Sequence, residues 1–139
     1  MIGSSDKQTR LNVLLVEDEP LIRRVLARLL KAHNVTLADN NASALDFVLQ
    51  GSELDLVICD VITPLMTGIE FCKRAREARP ELSDKFLFVT ALGPGDQGFD
   101  ETLELGLVLR KPFGQLELTA AIERITSVNI ATRRLAALR

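Results

Sequence analysis

Hydrophobic residues in this chain fall into two alternating textures. Short unbroken apolar runs are separated by stretches in which apolar residues recur every three or four positions. The runs are Asn12-Val13-Leu14-Leu15-Val16, residues 35–38, Leu56-Val57-Ile58-Cys59, Lys85-Phe86-Leu87-Phe88-Val89-Thr90 and Leu107-Val108-Leu109-Arg110. Each is too short for a helix and is bounded by turn formers, which predicts strands, the continuous ones buried on both faces of a parallel sheet. The intervening stretches have helical period. Leu21, Ile22, Val25, Leu26, Leu29 and Leu30 would form one apolar face, with Arg23, Arg24, Arg28 and Lys31 on the other. Pro20 and the acids before it are helix-opening signals. Asn40 or Asn41 can cap a second helix through Ala44, Leu45, Val48 and Leu49, ended by Gly51. Ile69, Phe71, Cys72 and Ala75 mark a third, which Pro80 stops. Residues 99–105 suit only a short helix, and Leu118, Ala121, Ile122 and Ile125 mark the last.

Five alternations of strand and helix predict an α/β fold: a doubly wound five-stranded parallel sheet, helices on both faces, joined by right-handed crossovers. With the order 2-1-3-4-5, the sheet switches direction between its first and third strands, and ligands bind beyond the carboxyl ends there. Glu17 and Asp18, Asp60, Thr90 and Lys111 all follow or end strands and would converge at that edge. Taken alone, Asp60 reads as a turn residue before Pro64 and Gly68, and the acids 17–19 as a helix cap. Together they pose an electrostatic problem, since two carboxylates about 4 Å apart repel by roughly 4 kcal/mol at an effective dielectric near 20. A divalent cation relieves it. An all-oxygen carboxylate site favours Mg²⁺, with Mn²⁺ as a possible substitute, and binds readily alongside a phosphoryl group. One carboxylate beside such an ion can act as a nucleophile toward phosphorus, while the Thr90 hydroxyl and Lys111 ammonium take other phosphoryl oxygens.

Composition narrows the partners. The net charge of −2 and a charged fraction of 26% are those of an ordinary globular domain, which argues against binding nucleic acid. No apolar run is long enough to span a bilayer, and the polar residues 1–10 lack the core of a secretion signal, so no membrane association and a cytoplasmic location are expected. Cys59 lies in a strand and Cys72 in a helical pattern, without metal-ligand spacing, and both read as reduced core residues. The loop 93–98 lacks the Gly-Lys-Ser/Thr ending of a nucleotide-binding loop.

In its ordered marks the chain resembles the receiver domains of two-component response regulators, a flavodoxin-like family. The marks are Val16-Glu17-Asp18-Glu19-Pro20, Asp60 with Pro64 and Gly68, Thr90-Ala91, and Lys111-Pro112-Phe113. The resemblance covers residues 12–127 and implies a phosphorelay function: Mg²⁺-dependent transfer of a phosphoryl group from a phosphohistidine to Asp60, signalling to a downstream protein. It implies that Glu17, Asp18, Asp60 and the backbone carbonyl of Ile62 hold the metal, that Thr90 is the switch hydroxyl and that Lys111 contacts the phosphate. The donor would be a sensor histidine kinase or a histidine phosphotransfer protein, docking by the first helix. It also implies a cis peptide at Lys111-Pro112 and places Ile62 and Leu92 beside the path of a hydrolytic water. Glu17 stands where many members have Asp. Val108 stands where they often have Tyr or Phe, so the usual aromatic switch is absent. The alternative is a pseudo-receiver, a binding module that keeps the fold without being phosphorylated. A dehalogenase-like phosphatase would need an acid where Ile62 stands, and a flavodoxin would need hydroxyl-rich phosphate contacts and flavin-stacking aromatics. The domain is expected at 11–127, after a polar tail at 1–10 and before a helix extension or tail at 128–139, with no room for an output domain.

Overall fold

The computed structural model describes the backbone of residues 10–137 and the side chains of residues 10–127. Five strands alternate with five α-helices: β1 Asn12–Val16, α1 Pro20–Leu29, β2 Asn34–Ala38, α2 Asn41–Leu49, β3 Leu56–Asp60, α3 Gly68–Ala78, β4 Phe86–Thr90, α4 Phe99–Leu105, β5 Leu107–Arg110 and α5 Gln115–Ala137. A 3₁₀ turn, Pro80–Leu82, follows α3. The sheet is wholly parallel, as the alternation predicts, and its order β2-β1-β3-β4-β5 is the flavodoxin-like one that the family resemblance implied. Every residue of β3 and β4 is buried, as continuous apolar runs require, whereas the edge strands β2 and β5 remain partly exposed.

Two apolar layers flank the sheet because successive strand residues point to opposite faces. Leu14, Val16, Val57, Cys59, Phe86 and Phe88 pack with Ala44, Val48, Phe71, Cys72 and Ala75 from α2 and α3. Val13, Leu15, Leu56, Ile58, Leu87 and Val89 pack with Leu26 and Leu30 near α1 and Leu118, Ile122 and Ile125 of α5. Both cysteines are free and buried, as read from the sequence. Burial raises the thiol pKa of each, that of Cys72 to about 11, so neither is a ready nucleophile.

Register brings the strand ends level. Val16 lies opposite Cys59 and Ala38, Asp60 opposite Val89, and Thr90 opposite Arg110. Asp60 and Thr90 are therefore the last residues of adjacent central strands, and Glu17 is the first residue past β1. Gly68 opens α3 directly against this edge. A Cβ there would meet the Asp60 carbonyl oxygen at 2.6 Å and Val61 Cα at 2.9 Å, so only glycine allows the approach.

The first helix departs from its sequence pattern. Leu26 and Leu30 are buried, but Leu21 and Val25, assigned by periodicity to the same apolar face, are 72% and 58% exposed. The helix rests on the sheet along a narrower stripe than its apolar residues span. Arg23, expected on the outer face, is half-buried and donates from Nη1 to the Glu17 carbonyl at 3.0 Å. Arg24 and Arg28 remain exposed. At the other end, α5 runs through Ala137. The polar tail at 1–9 and residues 138–139 lie outside the described residues. Among the described residues no helix is long and apolar enough to cross a membrane.

Candidate functional site

Glu17 leaves β1 with its backbone N–H still bonded to the Ala38 carbonyl of β2, at 3.1 Å. That bond keeps it on the sheet edge and turns its side chain inward, where it is fully buried. Its Oε2 accepts from the Glu19 N–H at 3.3 Å, and its Oε1 accepts from Lys111 Nζ at 3.0 Å. Asp60, also buried, accepts from the Ile62 N–H on Oδ1 at 3.1 Å and from Lys111 Nζ on Oδ2 at 3.0 Å. Carboxylate oxygens of Glu17, Asp18 and Asp60 all lie within 4.8 Å of one another. Sequence reasoning had placed these acids at one edge, and the fold gathers them into one cluster.

Lys111 reaches the cluster from the chain beyond β5. Its N–H donates to the Thr90 carbonyl at 2.8 Å, which continues the β4–β5 ladder by one residue. The Lys111-Pro112 peptide is cis, as the sequence resemblance implied. Thr90 is buried, and its Oγ1 accepts from the Leu92 N–H at 3.1 Å. Ile62 sits at the rim, 57% exposed, its peptide N–H committed to Asp60.

Burial pushes the Glu17 carboxyl pKa up and the Asp60 charge adds to this, against the lowering effect of the Lys111 hydrogen bond. For Lys111, burial alone would lower the pKa, but its hydrogen bonds to Asp60 and Glu17 and their charges outweigh that and raise it. One ammonium shared by two buried carboxylates, with Asp18 beside them, leaves an excess of acceptor oxygens and negative charge. That donor set fits a hard divalent cation with oxygen ligands, and Glu17, Asp18 and Asp60 are the residues able to hold one.

Comparison with known proteins decides the family. The profile of the response regulator receiver domain matches residues 13–123. The chain belongs to this family. It is 36% identical over 120 residues to the response regulator receiver protein CpdR of Brucella abortus, an alignment covering 81% of this chain and 94% of CpdR. It is also 36% identical over 118 residues to the transcriptional regulatory protein DltR of Streptococcus agalactiae; there 81% of this chain aligns with only 50% of the longer relative. Among solved structures, the receiver domain of the sensor histidine kinase PA1611 of Pseudomonas aeruginosa has a magnesium ion coordinated in its active site cleft. It superposes with a TM-score of 0.74 at 25% identity, covering 86% of this chain and 99% of that one.

Two residues at this receiver's site were not recognised from sequence. Asn41, read only as a possible cap, is the first residue of α2; the cap is Asn40, whose side chain accepts from the Ser43 N–H. Asn41 is instead fully buried, with its amide directed at the chain just after Asp60. Arg110, read as a strand residue, donates from Nε to the Leu92 carbonyl at 3.1 Å and lies over the Phe99 ring at 5.9 Å. The doubled Asn40-Asn41 was the available signal for the first, since a helix needs one cap. Nothing in the local pattern pointed to the second.

Proposed function

We propose that this receiver accepts a phosphoryl group on Asp60 from a phosphohistidine, in a Mg²⁺-dependent reaction, and passes the resulting conformational change to a downstream protein in the cytoplasm. The observation that carries this reading is the meeting of Glu17 Oε1 and Asp60 Oδ2 on the Lys111 ammonium, both at 3.0 Å, inside a three-carboxylate cluster.

Glu17, Asp18, Asp60 and the Ile62 backbone carbonyl would hold the metal. When bound, Mg²⁺ supplies charge neutralisation between the nucleophile and the phosphoryl oxygens. An Asp60 carboxylate oxygen attacks phosphorus; the new O–P bond forms as the P–N bond to the donor imidazole breaks, and the imidazole leaves with the electron pair. Lys111, already 3.0 Å from Asp60, is placed to follow one phosphoryl oxygen, and the Thr90 hydroxyl another. Asp60 needs no general base because it attacks as a carboxylate.

The donor is proposed to be a sensor histidine kinase or histidine phosphotransfer protein that docks on α1, which begins just after Glu17 and Asp18 and exposes Leu21, Val25 and the basic Arg24. Incubation with acetyl phosphate and Mg²⁺, followed by phosphate-affinity electrophoresis, tests the chemistry. Wild type should form an acid-stable, base-labile phosphoprotein, and Asp60→Ala or excess chelator should abolish it. Labelling that survives either treatment would refute Mg²⁺-dependent transfer to Asp60, and a wild type that takes neither label nor beryllofluoride would replace this reading with that of an unphosphorylated binding module.

A further inference from the structure

Residues 61–67, between β3 and α3, carry the Ile62 N–H that bonds Asp60 Oδ1 at 3.1 Å, and with that residue the carbonyl proposed above as a metal ligand. This loop is exposed at Ile62, Pro64, Leu65 and Thr67, and Leu65 has a positive φ of 76°. A loop so open needs attachments from elsewhere to keep a fixed shape. At its start the Val61 N–H reaches the Val89 carbonyl of β4 at 3.4 Å, and at its end the Gly68 N–H reaches the Val61 carbonyl at 2.7 Å. Side-chain attachment comes from across the sheet edge, at the first turn of α2.

Asn41 Nδ2 lies 3.2 Å from the Asp60 carbonyl oxygen, 2.7 Å from Thr63 Oγ1 and 3.1 Å from the Met66 carbonyl oxygen. Its backbone N–H also donates to Thr63 Oγ1, at 3.2 Å, and the Thr63 hydroxyl donates onward to Met66 O at 2.9 Å. The Thr63 oxygen thus uses both acceptor sites and its one proton. One buried side chain therefore touches both ends and the middle of the loop. Its own Oδ1 is buried and accepts nothing among the described residues. Capping does not explain the residue, because Asn40 caps α2. Core packing does not explain it either, since an apolar side chain would fill the space without leaving a buried acceptor unpaired.

We infer that Asn41 is a positioning residue for phosphoryl transfer. It acts through the 61–67 loop by fixing the peptide of Ile62 relative to the Asp60 carboxylate. The inference rests on the phosphoacceptor reading above. It assigns α2, which contributes no side chain to the acidic cluster, a direct mechanical hold on the site.

The test sets Asn41→Ala against Asn40→Ala. Both weaken the start of the same helix, but only the first releases the loop. Mg²⁺ affinity is read by calorimetry, phosphorylation by acetyl phosphate as a function of Mg²⁺, and stability by thermal unfolding. Residues that orient a metal's ligands typically account for 10–100-fold in affinity, so Asn41→Ala is expected to weaken Mg²⁺ by about tenfold. Raising Mg²⁺ should recover part of its phosphorylation rate. Asn40→Ala should lower the melting temperature yet hold Mg²⁺ affinity within about twofold of wild type. Thr63→Val, which removes the shared hydroxyl, should fall between them and carries the test if Asn41→Ala does not fold. Equal Mg²⁺ affinities across Asn41→Ala, Thr63→Val and wild type overturn the inference, as do losses that merely track melting temperature in both asparagine variants. A wild type that binds no Mg²⁺ and takes no phosphoryl group overturns the phosphoacceptor reading and this inference together. An active wild type matched by Asn41→Ala overturns the inference alone.

Discussion

The two loops that leave the central strands differ in how they are held. The loop after β3 is fastened from inside: Asn41 reaches it with buried donors, and Gly68 brings α3 into backbone contact with Asp60 and Val61. The loop after β4, residues 91–98, is fastened from outside. Exposed Arg110 bonds the Leu92 carbonyl and covers Gly93, where a Cβ would meet its Nη2 at 2.4 Å. Within it Asp96 Oδ2 accepts from the Gly93 N–H at 2.8 Å, and only at its far end, where it enters α4, does a buried group hold it, the Thr102 hydroxyl donating to the Gly98 carbonyl at 2.7 Å. Buried hydrogen bonds have no water to replace them, whereas exposed ones exchange with solvent at small cost. The comparison teaches that the side of the site bearing Asp60 has the more buried fastenings, and the side bearing the Thr90 hydroxyl the more exposed ones.

The largest effect expected from breaking this arrangement is at Gly68. Both atoms that an added Cβ would strike are backbone, so Gly68→Ala should destabilise by about 3 kcal/mol in urea unfolding, at the upper end of overpacking effects. Gly95→Ala is the matched control in the other loop. It has φ of 92° and nothing within 4 Å of a new Cβ, so only left-handed strain of about 1 kcal/mol opposes it. Equal losses at the two sites would erase the contrast.

Next comes Glu17→Gln. A cation that binds only the folded state stabilises wild type by about 2.7 kcal/mol at a hundred times its dissociation constant. The variant should lose most of that gain at the same concentration. Its pH dependence sharpens the point. Because the folded Glu17 pKa lies above the ordinary 4.5, the folded state takes up this proton before the unfolded chain does. Metal-free wild type should therefore gain stability from this group as pH falls through the folded pKa toward 4.5, and the variant should lack that component. Lys111 acts in the opposite range: its raised pKa gives stability that is present below 10.5 and lost as pH rises through the folded value. Thermal melts with and without Mg²⁺ across pH check both.

A smaller effect concerns the lifetime of the phosphorylated state. Ile62 and Leu92 flank the sequence-implied path of the hydrolytic water, and neither side chain can orient it. Ile62→Asn should speed phosphate release by roughly tenfold, a modest share of what a positioned polar group can supply, and Leu92→Glu should speed it by a smaller factor. A wild type that releases phosphate as fast as either variant ends the shielding explanation. Since Leu92 belongs to the more loosely fastened loop, its variant should show the weaker effect. Arg110→Ala should change global stability least, by less than about 1 kcal/mol, because its contacts are exposed. It should nevertheless speed amide exchange in residues 93–98 and leave 61–67 unchanged. Exchange that rises equally in both loops would mean they are fastened as one unit.

Much of this receiver was legible before any fold was seen. The alternation of buried strands and amphipathic helices has a period that local chain geometry imposes, so five α/β repeats and a parallel sheet followed from the pattern, while the strand order came with the family resemblance. Glu17, Asp18, Asp60, Thr90 and Lys111 could be grouped because each follows or ends a strand, and parallel strands present all such ends at one edge. The face of α1 was misread at Leu21 and Val25 because periodicity defines an apolar stripe, whereas the packing of Leu26 and Leu30 with the strands and α5 determines how much of it is covered. Tertiary structure alone decided that Asn41 faces the loop after Asp60 and that Arg110 clasps Leu92 to Phe99. Those contacts join residues 19 and 18 positions apart, and no local spacing encodes them. They depend on which side chains the sheet's register brings level at its edge, a property of the assembled strands and not of any segment.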